Sequence, residues 1–281
     1  MKIGLNCHLT DYAIAAPELA REAEARGFYS LYVPEHTHIP ASRRTPAPTG
    51  EAELHQEYFH TLDPFVVIGA MASATSTIRL GTSIALVAQH DPIALAKAVA
   101  TADFVSGGRL ILGIGIGWNI EELQNHGVDP RRRRAHVREV MLAMGELWAN
   151  EVASFDGEFV RFDPSFQWPK PIQQPRPAVL FGGAARPVLF EHIAEFCDGW
   201  IPIGGAGLKA ALADLRTAYE LRGRDFSTAH IVPSAVIPDD GKLAYYASIG
   251  VTELALRVPN TGRDDALQTL DDYARYAEQY N

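Results

Sequence analysis

The sequence is short of cysteine, lysine and positive charge, and each shortage narrows what the chain can be. Its two cysteines, Cys7 and Cys197, stand far apart and in neither a CxxC nor a zinc spacing. A disulfide framework is therefore excluded, and a reducing cytoplasm is the expected compartment. No apolar run reaches the roughly 18 residues that a membrane span needs, and the first residues lack the pattern of a secretory signal. Lys and Arg number 25 against 34 Asp and Glu, a formal net charge of −9. That balance argues against nucleic acid or an anionic membrane as the main partner, since both require a basic face. No linker rich in Gly, Ser or Pro and no fixed-period repeat divides the chain. Residues 1–281 are therefore expected to form a single domain, although the length alone would allow two.

Short β-rich apolar runs alternate with helical periodicity along the whole sequence, as in a parallel α/β sheet. Strands are predicted at 2–6, 29–33, 79–83, 110–114, 178–181, 200–203, 230–237 and 253–257. Helices are predicted at 17–26, 63–74, 92–105, 132–150, 186–196, 208–222, 242–248 and 264–279. Pro near a helix start and Gly just past its end, as at Pro17 and Gly27, punctuate these units as expected. Eight strand–helix units in this length predict an α/β (β/α)8 TIM barrel, with a doubly wound open sheet as the alternative. Two polar stretches, 37–60 and 117–131, are placed as insertions at the C-terminal face of the strands, and 152–162 reads as a hairpin turning at Asp156-Gly157.

A barrel carries its chemistry at the C-terminal strand ends. Here these are Cys7-His8, Pro34-Glu35-His36, Ser83-Ile84, the segment 115–118, the segment 182–185 and Ile203-Gly204-Gly205. The set is rich in glycine and imidazole, and Glu35 is its one carboxylate. A metal hydrolase would find too few converging ligands, so no metal is expected. A two-carboxylate glycosidase lacks its second acid. A Schiff-base enzyme finds none of the five lysines (Lys2, Lys97, Lys170, Lys209, Lys242) well placed. What remains is a site that grips a large ligand through backbone amides and stacking, which suits a cofactor bringing its own chemistry. Gly182-Gly183 before a helix either bares N–H groups for an anion or simply lets strand and helix meet closely. The arginine run 131–134 reads as a solvated or ion-paired helix face, and His90-Asp91 as a helix cap.

The stretches GFYSLYVPEH (27–36), IRLGTSIALVAQHDP (78–92), GGRLILGIGIGWNIEEL (107–123), FDGEFVRF (155–162), VLFGG (179–183) and CDGWIPIG (197–204) together resemble the bacterial luciferase-like monooxygenase superfamily, and within it the F420-dependent oxidoreductase branch. The resemblance covers essentially the whole chain. It implies a dimeric barrel that binds coenzyme F420 or, alternatively, FMN. It implies a non-prolyl cis peptide at Ser83-Ile84 supporting the cofactor ring; the Gly113-x-Gly115-x-Gly117 spacing independently marks close packing where a flat ring lies against the strand end. It places the cofactor phosphate on Gly182, Gly183, Ala184 and Ala185, with Ile203 and Gly204 closing that side. His36 falls at the ring's reacting edge, with Glu35 expected to orient its imidazole, and His8 and Trp118 are expected to shape the substrate pocket. The sugar-phosphate dehydrogenases of the family carry a glutamate where this chain has Trp118, so a sugar phosphate is not the expected substrate. The compact chain and its preference for arginine over lysine favour F420. The expected activity is hydride transfer between F420 and a small organic substrate in a cytoplasmic homodimer. An FMNH2-dependent monooxygenase using O2 is the alternative, and a non-catalytic F420- or flavin-binding protein is the reading from outside enzymology. A separate flavin or F420 reductase could serve as a partner.

Overall fold

The computed structural model describes residues 1–48, 50, 53–205 and 207–281. The chain runs β1 (Lys2–Cys7), α1 (Ala16–Ala25), β2 (Ser30–Val33), α2 (Pro64–Ala74), β3 (Arg79–Thr82), α3 (Pro92–Val105) and β4 (Leu110–Ile114). It continues through α4 (Ile120–Asn125), α5 (Arg133–Ala149), β5 (Val152–Asp156), β6 (Arg161–Phe166), β7 (Ala178–Gly182), α6 (Pro187–Phe196), β8 (Gly199–Ile201) and α7 (Leu208–Leu221). The last elements are β9 (His230–Ile231), β10 (Ser234–Val236), α8 (Asp240–Ser248), β11 (Glu253–Val258) and α9 (Arg263–Tyr280).

Local sequence accounts for most helix starts. Pro17, Pro64, Pro92 and Pro187 occupy first-turn positions, where the missing N–H costs nothing. Asp63, Asp91 and Asp239 cap α2, α3 and α8 by accepting backbone N–H bonds. The expected cap at Asp91 is thus present. Arg109 ties the base of the sheet to α2, donating to the carbonyl oxygens of Ala72, Thr75, Ile78 and Ser106.

Nine strands form one sheet in the order β10-β11-β1-β2-β3-β4-β7-β8-β9, and every pairing in it is parallel. Strands β1, β2, β4, β7 and β11 are almost wholly buried, the mark of parallel strands covered on both faces. The sheet curls strongly. Tyr32, Ile111, Leu180, Ile201, Val232 and Ala255, drawn from strands across the whole order, pack into one inner cluster, with Ile84 against it. A larger cluster fills the layer between the sheet and its helices.

Three sequence expectations change in detail. The strand expected over 230–237 is two pieces, because Pro233 cannot donate a ladder bond, and the positive φ of 57° at Ala235 adds a register irregularity within the second piece. These pieces are the two ends of the strand order. Val232 N donates to Trp200 O and Ser234 N to Pro202 O on one side, while Ala255 N donates to Pro233 O on the other. The hairpin exists, but its turn spans 157–160 and its second strand runs on to Phe166. The insertion 117–131 contains a helix, α4, that the periodicity did not indicate.

Candidate functional site

A cavity of about 660 Å³ opens at the C-terminal ends of β3, β4, β7 and β8. Ser83, Ile84, Gly115, Gly117, Trp118, Gly182, Gly183, Ala184, Ala185, Ile203 and Gly204 all line it, so eleven of the residues singled out from sequence meet in one place. Its size falls within the range of small-molecule and cofactor pockets.

The Ser83-Ile84 peptide is cis. Ser83 Oγ lies 2.9 Å from Ser234 Oγ on β10, which links two distant strands beneath the cavity. The neighbouring glycines serve the protein before they serve a ligand. A Cβ on Gly115 would sit 2.5 Å from Ile84 Cδ1, and one on Gly182 would sit 2.6 Å from Ile84 Cγ2. Both positions stay bare so that the Ile84 side chain can lie across the strand ends and face the cavity.

Beyond Gly182 the chain enters α6 without a side-chain cap. Among the described residues, none accepts a hydrogen bond from the backbone N–H of Gly183, Ala184 or Ala185. Unspent N–H groups in the turn just ahead of a helix N-terminus form an anion cradle, since the helix dipole adds its partial positive charge there. Trp200 Nε1 donates to Gly183 O at 2.9 Å and steadies the turn. The segment thus fits a phosphate, and a Cβ on Gly183 would meet only Leu189 Cδ2, at 3.6 Å.

His36 is not among the residues that line the cavity; it lies behind one that does, Trp118, with ring centroids 5.5 Å apart. Trp118 Nε1 donates to His36 Nε2 at 3.3 Å, and His36 Nδ1 lies 2.8 Å from Glu122 Oε2. An indole N–H can only donate. Nε2 is therefore the acceptor, and Nδ1 carries the proton given to Glu122. Glu122 is 1% exposed and also accepts from Thr37 N at 3.2 Å.

This arrangement corrects the expectation for Glu35. Glu35 is buried too, but it turns the other way, accepting from Leu86 N at 2.6 Å and bonding His90 Nε2 at 2.7 Å. The carboxylate that orients His36 is Glu122, which is supplied by α4. Two signals in the sequence pointed that way. Successive side chains in extended backbone leave on opposite sides, so Glu35 and His36 diverge. Asn119-x-x-Glu122 is also a helix-capping pattern, and Asn119 Oδ1 does accept from Glu122 N.

His8 does not line the cavity. Its ring lies tilted against Tyr58 at 5.2 Å, and Tyr58 in turn sits 5.4 Å from His36 and 6.0 Å from Trp118. Burial, with the nearby His36 and Arg257 adding to it, pushes the His8 imidazole down to about 3, so it is neutral. The two insertions hold each other here, because Arg44 N and Thr45 Oγ1 both donate to Glu121.

His90 makes the Glu35 contact pH-sensitive. Burial lowers the imidazole's pKa, but the hydrogen bond and charge of Glu35, with Asp63 behind, outweigh it and raise the value above the ordinary one. A raised folded value means that the contact stabilises the fold fully below the unfolded pKa of about 6.5 and loses that contribution as pH rises through the folded value. The difference in Tm between wild type and His90→Asn should therefore be widest in mildly acidic buffer and narrow through neutral pH. A gap that widens with pH in thermal melts would contradict this pairing.

Arginine completes the lining. Arg133, Arg134 and Arg186 face the cavity. The expected solvated or ion-paired helix face holds for Arg131, which is exposed, and for Arg132, which pairs with Glu158, but not for Arg133 and Arg134.

These features define an α/β protein with a cofactor-sized cavity, an anion cradle and an oriented histidine at the C-terminal face of a curled parallel sheet. The chain belongs to the luciferase-like monooxygenase family, whose model matches residues 9–279. An uncharacterised protein of Mycobacterium tuberculosis is 45% identical over 269 residues, covering 95% of each chain. The F420-dependent glucose-6-phosphate dehydrogenase of Kineococcus radiotolerans is 27% identical over 236 residues, covering 80% of this chain and 64% of that one. Among solved structures, the monooxygenase RslO1 from Streptomyces bottropensis shares the fold with a TM-score of 0.80, at 21% identity over the full length of both chains. FMNH2-dependent monooxygenases are also among the relatives.

Proposed function

We propose that the chain is a single-domain F420-dependent oxidoreductase that moves a hydride between the deazaflavin and a small organic substrate. The sheet is read as a (β/α)8 barrel: β9 and β10 together make one stave, which hydrogen-bonds to β8 on one side and β11 on the other. The observation that carries the functional reading is one 660 Å³ cavity lined by both the bare turn 183–185 and Trp118, the indole that donates to the oriented imidazole of His36 behind it. The F420-dependent relatives support the choice of cofactor.

When bound, F420 accepts or donates a hydride at C5 of its ring. The bare amides of residues 183–185 would hold its phosphate, and Ile84 would support the ring. His36 Nε2, the acceptor of the Trp118 indole hydrogen, would take a proton from a substrate hydroxyl that displaces the indole. Glu122 at Nδ1 stabilises the imidazolium that results. In the reverse direction the same imidazolium returns the proton. The buried Glu122–His36 pair speaks against a purely binding role, since it sets one tautomer where simple binding needs none. Exposed apolar side chains on α2 and α3, Val66 and Phe104 among them, support a homodimer.

Titration of the purified chain with F420 and with FMN tests this reading. Saturable binding of F420 at micromolar concentration and reduction of it by an alcohol screen are the expected results. No binding at that concentration overturns it. Substrate-dependent oxygen uptake with supplied FMNH2 would instead establish the monooxygenase reading, which the likeness to RslO1 supports.

A further inference from the structure

The cationic wall of the cavity exceeds what one phosphate needs. Arg133 is the first residue of α5 and Arg134 the second, while Arg186 immediately precedes α6. A helix N-terminus is already positive, so three guanidinium groups at two such termini are electrostatically unfavourable. Ordinary sequences put Asp or Glu there, and neither α5 nor α6 has an acidic residue in its first turn. Arg132 next to them is neutralised by Glu158, whereas among the described residues no carboxylate pairs with Arg133, Arg134 or Arg186. Burial, then the charges of Arg133 and Arg186, lower the pKa of Arg134, so the three groups are close enough to repel one another. The chain carries 34 acidic residues against 25 basic ones, and partners were therefore plentiful. The charge missing from this wall is left for a ligand to bring.

A phosphodiester brings only one negative charge, and the bare amides of 183–185 would already receive it. We infer that Arg133, Arg134 and Arg186 form a subsite for a second anionic part of the same ligand, the carboxylate-bearing glutamate tail of F420. The inference rests on the cofactor reading above. The path of the tail follows from charge. Arg186 stands between this wall and a second cavity of about 450 Å³ between α6 and α7, which is lined by Glu191 and Asp214 as well as Arg222. In that second cavity Arg186 and Arg222 are balanced by Glu191 and Asp214, so the uncompensated positive charge lies over the start of α5 and draws carboxylates there. FMN has no such tail, so the subsite also selects between the two cofactors.

The test compares fluorescence titrations with F420 carrying its glutamates and with the glutamate-free form that keeps the phosphate. The full chain, the Arg133→Gln/Arg134→Gln double variant and an Arg131→Gln control are each titrated at low and raised salt. Two partly exposed ion pairs contribute on the order of 1–2 kcal/mol together, so the double variant should bind tailed F420 about tenfold more weakly. It should bind the glutamate-free form within about twofold of wild type, and R131Q should match wild type with both. Wild-type affinity for the tailed form should also fall more steeply with salt. Equal weakening for both forms would assign the arginines to the phosphate and overturn the inference, as would no weakening at all. If wild type binds neither form, the cofactor reading fails and the inference falls with it. If wild type binds tailed F420 and the variants bind it equally well, the inference alone fails.

Discussion

Replacing Glu122 with Gln should lower substrate-dependent turnover by about 10²- to 10³-fold while leaving cofactor affinity within about twofold, the scale of a lost general acid–base contribution. Glu122 can only accept, and it holds the proton of His36 on Nδ1 across 2.8 Å. That leaves the Nε2 lone pair toward the Trp118 indole, and a substrate hydroxyl can compete for it there. A glutamine has the same shape but can turn its NH2 group to Nδ1, which drives the proton to Nε2. Nε2 would then be a donor facing the Trp118 donor, with no lone pair to take a proton. The kcat effect is read in steady-state assays and the affinity by titration. Nitrogen NMR of labelled histidine reports which ring nitrogen carries the proton. Turnover that survives E122Q, or a loss confined to cofactor binding, would remove His36 from proton transfer. The polar Trp118–His36–Glu122 line would then be structural.

The second large effect is expected at the anion cradle. Gly183 has φ of +143°, a region essentially closed to side chains, so Gly183→Val forces the peptide to rotate at a cost of about 1–3 kcal/mol. Space is not the obstacle, since a Cβ there would meet only Leu189 at 3.6 Å. What is lost is the direction of the N–H groups of 183–185 just ahead of α6. Cofactor affinity should fall by about 100-fold, close to 3 kcal/mol, with a much smaller change in melting temperature. Binding within a few-fold of wild type would mean that the phosphate is held elsewhere. A chain that no longer folds would mean that Gly183 is a structural residue.

The architecture was legible because its signals are local. Each β-rich run of four to six residues and each Pro-started helix is specified by its own stretch of chain, and nearly every predicted unit is present. The departures are equally physical. Pro233 splits a strand that hydropathy alone reads as continuous, since a missing N–H leaves no trace in an apolar pattern. α4 is six residues long, too short for its period to register.

The amino-acid sequence by itself determined which groups would reach the mouth of the sheet. Glycines at the ends of β4 and β7, Ser83-Ile84 after β3, Trp118 and His36 stand at strand ends wherever the strands lie, because the strand boundaries are set locally. The tertiary structure decided how those groups pair. It gave His36 the carboxylate of Glu122, 86 positions away in sequence, and sent Glu35 to His90. It also turned two members of an arginine run that resembled a solvated face into the wall of the cavity. Both outcomes depend on where the 117–131 insertion and the start of α5 fold back over the strand ends. That placement rests on packing and charge between distant segments, and neither is written in the periodicity of any one of them.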